Sequence, residues 1–134
     1  MLKTEVVRGP DGRVILMDSI TKVTEEDEGA IIVSASHGGV SSGEFALVIP
    51  LRAVIFNDAG IGKDSAGIAA LEMLEARGVA AGTVAHTSAR IGDADDMWKT
   101  GVISHLNARG RAMGLSEGAA LNDALRRVVQ GTAR

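Results

Sequence analysis

Three short segments of this chain join a proton-transferring side chain to small, turn-forming neighbours: Ser36-His37-Gly38-Gly39, Asn57-Asp58-Ala59-Gly60, and His86-Thr87-Ser88 with Arg90 close behind. An imidazole titrates near neutrality, with an unperturbed pKa of about 6.5, and a neighbouring carboxylate can orient it. His37, Asp58 and His86 therefore have the composition of an acid–base set, in which either histidine shuttles a proton and Asp58 aligns it. Ser36, Ser41 and Ser88 are the hydroxyls that could act as nucleophiles beside them. Two histidines and a carboxylate are also a metal-ligand composition. Their wide separation along the chain supplies no ligand spacing, however, and neither a metal nor a cofactor is predicted. His105, between Val102 and Leu106, reads as a structural residue inside a helix.

The loop after Asp58 adds an anion-binding element. Gly60, Gly62 and Lys63 precede a helical run, so loop amides, a helix N-terminus and an ammonium could together hold a carboxylate. The Walker pattern Gly-x4-Gly-Lys-Ser/Thr does not fit, because Asn57 stands at its first glycine and Asp64 at its hydroxyl position. An aspartate there repels phosphate, which excludes a nucleoside triphosphate.

Bringing these segments together requires strands that end on a common edge. Ala30-Ile31-Ile32-Val33 and Ala53-Val54-Ile55-Phe56 are unbroken apolar runs rich in β-branched residues, as expected of strands buried on both faces. Val79 to Ala85 is a third such run, of smaller residues. Each is followed by one of the polar segments. A short helix through Glu44-Phe45-Ala46-Leu47, capped by Ser41 or Ser42 and ended by Pro50, is predicted, and a longer one over Asp64 to Arg77, with Gly78 as its terminating glycine. In an open parallel sheet, ligands bind outside the carboxyl ends of the strands, near a topological switch point. The site predicted there comprises His37, Asp58 and His86, with Ser36, Gly38, Gly39, Asn57, Gly60, Gly62, Lys63, Ser88 and Arg90 as ligand-binding residues.

The flanking regions complete the fold. Thr4 to Arg8 and Arg13 to Met17 surround Gly9-Pro10-Asp11-Gly12, a hairpin signature. Asp93 is placed to cap a helix running to Met113, with Trp98, Val102, Leu106 and Met113 inward, and Ser116 to cap a last helix. The expected architecture is a small three-layer α/β sandwich of Rossmann-like type. Its sheet is mostly parallel and is preceded by an N-terminal β-hairpin. Residues 1 to 134 form one domain, with the hairpin over about 4 to 20 and the C-terminal helices over about 93 to 130.

Composition excludes several classes. The net charge is −3 with interspersed signs, and there are one Trp, two Phe and no Tyr, so neither a basic stripe nor a stacking platform for nucleic acid exists. There is no cysteine, hence no disulfide or thiol chemistry. No apolar run approaches the ~20 residues needed to span a bilayer, so a soluble, cytoplasmic protein is expected. The expected function is recognition of a small anionic metabolite at the C-terminal edge of the sheet, with possible hydrolase- or isomerase-like acid–base chemistry. The alternative is a non-catalytic structural or regulatory subunit. Met97, Trp98 and Met113 on one long helix, and sheet edges that need covering, predict a homo-oligomer.

Overall fold

The computed structural model describes residues 1 to 132. The predicted hairpin is present as strands β1 (Lys3–Gly9) and β2 (Gly12–Met17), paired antiparallel across the Pro-Asp turn. Its second strand has a further role. Val14 to Met17 are buried on both faces because β2 also pairs, in parallel, with β3 (Ile31–His37). The sheet continues through β4 (Ala53–Asn57) and β5 (Ala80–Val84), both parallel to their predecessors, and ends on β6 (Ile103–Leu106), antiparallel to β5. Six strands thus lie in the order β1-β2-β3-β4-β5-β6.

This sheet is mixed rather than mostly parallel, since both outer pairings are antiparallel. The order also contains no reversal, so the switch point used to locate a site from sequence does not exist in it. Successive crossovers of one hand, stepping one way along a sheet, fall on one face. Ile20 from the turn after β2, Ala46 of helix α1 (Val40–Ala46) and Leu71 and Leu74 of α2 (Ala70–Ala76) accordingly share one apolar cluster with Ile32, Val54 and Phe56. The opposite face is covered by elements that follow β5 in the chain. There α3 (Ala94–Thr100) and α5 (Leu121–Gln130) bury Met97, Trp98, Leu121 and Leu125 against Leu16, Val33 and Ile55. Met97 and Trp98 are therefore core residues, and α3 has no spare apolar face for the association predicted from it.

The largest departure from expectation lies between Asp93 and Met113. Instead of one helix the chain forms α3, then β6, then α4 (Ala108–Ala112). Gly101 ends α3 in an extended conformation, and a Cβ there would collide with the Met97 carbonyl oxygen. β-Branched Val102 follows, and β-branched Ile103 starts the strand. Asn107 closes it by capping α4, its side-chain oxygen accepting from the amides of Gly110 at 2.8 Å and Ala81 at 2.9 Å. Trp98, Val102, Leu106 and Met113 mimic a helical period, but Val102 is exposed and Leu106 belongs to the sheet.

The other helix boundaries shift for similar reasons. The predicted helix over Asp64 to Arg77 is a kinked 3-10 segment at Lys63–Ile68 followed by α2, with Gly78 at φ 80° just beyond it. Among the described residues Ser116 caps no helix; α5 starts five residues later behind Ala120, which bridges to Val102. Asp93 does cap α3, accepting from the Asp96 amide at 3.0 Å. Asp93→Ala is expected to lower stability by about 1 kcal/mol, and thermal unfolding followed by circular dichroism measures it. A loss under a few tenths would mean that the cap contributes nothing.

Candidate functional site

Asp58 follows the last residue of β4, where the backbone leaves the sheet but its side chain stays covered, only 5 % exposed. Its oxygens are held from two sides. Oδ1 accepts from the Gly60 amide at 2.8 Å and the His86 amide at 3.1 Å, and Oδ2 accepts from the Ser104 hydroxyl at 2.8 Å. Burial is the largest influence on this carboxyl and works to raise its pKa. The Gly60 amide, the Ser104 hydroxyl, the His86 amide and the His86 charge together outweigh it and hold the pKa below the usual carboxylate value. Asp58 is thus a fixed, ionised carboxylate near neutral pH.

An imidazole stands against each oxygen. His86 Nδ1 lies 3.4 Å from Oδ1, and His105 Nδ1 lies 3.9 Å from Oδ2. The His86 side chain is 55 % exposed, whereas that of His105 is 34 % exposed. Beneath them runs a hydroxyl relay: Thr83 Oγ1 is 2.8 Å from Ser104 Oγ, which is 3.2 Å from His105 Nδ1. Register explains the convergence. Thr83 pairs with His105 across β5 and β6, and β5 carries on into His86 beside Asp58. Such an arrangement can take up, hold and return a proton, with the carboxylate stabilising whichever imidazolium forms.

Of the residues expected from sequence to act together, Asp58 and His86 meet. His37 is exposed, and its ring lies against Gly39 in the turn between β3 and α1; among the described residues no hydrogen bond or ion pair joins it to Asp58 or His86. Ser36 accepts from the Ile20 amide at 3.1 Å. Asn57 is fully buried, donating to the Ala89 carbonyl and accepting from the Ala59 amide. Ser88 donates to the Ala85 carbonyl and accepts from the Val102 amide. These three brace the loops. Gly38 lies against the Gly67 backbone, and the His86 ring lies over Gly60. Gly62, Lys63 and Arg90 are exposed.

Ser104 and His105 are the members that the sequence reading places elsewhere. Read as a helix, their segment cannot reach Asp58; read as a strand, it must. The available signal was Gly101 followed by two β-branched residues, with Asn107 as a helix cap. Gly39-Val40-Ser41-Ser42-Gly43 also has the Gly-x-Ser-x-Gly spacing of a hydrolase nucleophile elbow. The fold gives it no elbow, because Ser41 sits in the first turn of α1 and has no positive φ.

Among the described residues, positive φ at non-glycine positions is confined to the loop after Asp58: Ala59, Ile61, Asp64 and Ser65 all lie between 52° and 68°. For β-branched Ile61 this is a rare conformation, held by a hydrogen bond from its amide to the Asp58 carbonyl at 2.6 Å. Strain of this kind persists where surrounding contacts over-determine it, commonly beside ligand sites. Among the described residues no group of three or more His, Cys, Asp or Glu side chains is disposed to hold a metal ion, and no helix is long and apolar enough to cross a membrane. No family model, curated protein or solved structure matches the chain, so any functional reading rests on the carboxylate between two imidazoles.

Proposed function

We propose that this chain binds a small anionic metabolite at the C-terminal end of β4 and β5 and moves a proton there, in isomerase- or hydrolase-like chemistry. The observation that carries the reading is the buried, ionised Asp58 with His86 on one oxygen and His105 on the other. Asp58 orients; His86 and His105 are the acid–base groups. A purely structural carboxylate needs its amide and hydroxyl partners, but it has no use for two part-exposed imidazoles. His37, Lys63 and Arg90 remain outside this centre, with Lys63 and Arg90 as cationic groups at the same strand ends. The Rossmann-like resemblance belongs to this reading as well, as strand-end chemistry on a sheet covered by helices on both faces.

The reading is tested with a panel of small carboxylates and phosphate esters, followed by saturation-transfer NMR for binding and by solvent deuterium uptake for proton transfer. At least one compound is expected to bind and to exchange a carbon-bound proton. Asp58→Asn and His105→Gln are each expected to slow that exchange by about 10²-fold or more, with binding retained. A panel without exchange, or variants that exchange as fast as the unmodified chain, would remove the proposal.

A further inference from the structure

A second feature borders the Asp58 centre: an open cleft of about 300 Å³ between the start of α2 and the edge strand β6. At ~30 Å³ per water-sized group it has room for about ten of them, the small end of the range for ligand sites. We propose that this cleft seats a small amino-carboxylate with an aliphatic side chain, placed against His105. The inference rests on the acid–base reading of the Asp58 centre and replaces the net-anionic ligand of that reading by a zwitterion, which keeps the carboxylate as its anionic group.

The chemistry of the walls supports that class. Leu71 and Leu106 are 6 % and 5 % exposed and form an apolar floor with Ile68, suited to an aliphatic group of a few carbons. Asp64 and Glu72 line one part of the rim, and neither forms an ion pair among the described residues. Arg111 lines another. It uses one nitrogen on Glu117 at 2.6 Å, and a guanidinium with five N–H groups keeps donors for a ligand carboxylate. A simple anion would meet two carboxylates for one guanidinium and be repelled. A ligand carrying both an ammonium and a carboxylate satisfies both sides.

His105 joins the cleft to the proton relay. Its Nδ1 faces Ser104 at 3.2 Å, Thr83 at 3.4 Å and Asp58 at 3.9 Å, so Nε2 is the nitrogen left for a ligand in the cleft that the same ring lines. Asp64 and Ser65, held at φ 56° and 57°, belong to the same wall. Two of the four positive-φ residues of the loop thus line the cleft.

The test uses three probes with one carbon skeleton: L-leucine, 4-methylpentanoate, which lacks the amine, and 3-methylbutylamine, which lacks the carboxylate. Each is titrated to millimolar concentration while the imidazole and amide resonances are followed. Leucine is expected to move the His105 signals and the amides of residues 64 to 72, and each one-ended probe to bind about 10-fold more weakly or worse. Glu72→Gln and Arg111→Gln should each weaken leucine about 10-fold while leaving thermal unfolding unchanged. Absence of any leucine-induced shift, equal binding of 4-methylpentanoate, or shifts that map away from the cleft would each overturn the inference. Leucine binding without proton exchange in the compound panel would retain the cleft and remove the catalytic reading. Exchange of simple carboxylates without leucine binding would do the reverse.

Discussion

Gly67→Ala is expected to lower stability by at least about 4 kcal/mol, a loss reserved for changes the backbone cannot absorb. A Cβ at this position would fall inside the Asp58 carbonyl oxygen and within 3.0 Å of the Asp58 carbonyl carbon and the Ile61 Cα. All three atoms are backbone, so no side chain can rotate away. The segment cannot retreat either. The Gly67 amide donates to the Ile61 carbonyl at 2.6 Å, and the Gly67 carbonyl lies against Gly38, whose own carbonyl accepts from the Ala70 amide at 2.8 Å. At about 4 °C per kcal/mol for a chain of this size, the melting temperature should fall by about 15 °C or more. Gly62→Ala is the matched control. Gly62 has φ 75° but open space around it, so only the left-handed backbone is penalised, by about 1 kcal/mol. Equal melting temperatures for the two variants would show that the loop does not pack against Gly38 and Asp58 as described.

Asp58→Ala carries the second large effect. Removing the carboxylate strands the Gly60 and His86 amides and the Ser104 hydroxyl, at an expected loss of about 3 kcal/mol at neutral pH. The pH dependence separates charge from packing. Because the folded carboxyl lies below its ordinary value, its stabilisation is fully present above the unfolded pKa of about 4. It disappears as pH falls through the lower folded value. Denaturant unfolding of the unmodified chain and of Asp58→Asn, compared between neutral pH and acid, should show the difference between them shrinking below pH ~4. A constant difference across that range would mean that Asp58 contributes through shape and not through charge.

Much of this arrangement was legible in the residues. The apolar runs ending at Val33 and Phe56 and the small-residue run ending at Ala85 are the centres of β3, β4 and β5, because a strand buried on both faces must be apolar without a break. The turn residues at Pro10-Asp11-Gly12, Asp93 as a helix cap and Gly78 beyond α2 are local signals with local causes, and they survive folding. Asp58 at a strand end followed from the same local logic.

Tertiary structure decided what local signals cannot carry. Ile103 to Leu106 fits a helical period as well as a strand, and its pairing with the edge of β5 gives the local strand signals at Gly101 and Asn107 their outcome. That choice brought Ser104 and His105 to Asp58 in place of His37. The order of strands, and with it the missing switch point, depends on which edge each new strand finds free. The burial of Met97 and Trp98 depends on the face that the crossovers left open. An imidazole's partner across a sheet is fixed by register between distant segments, and a single chain of residue types does not encode that register until the core has formed.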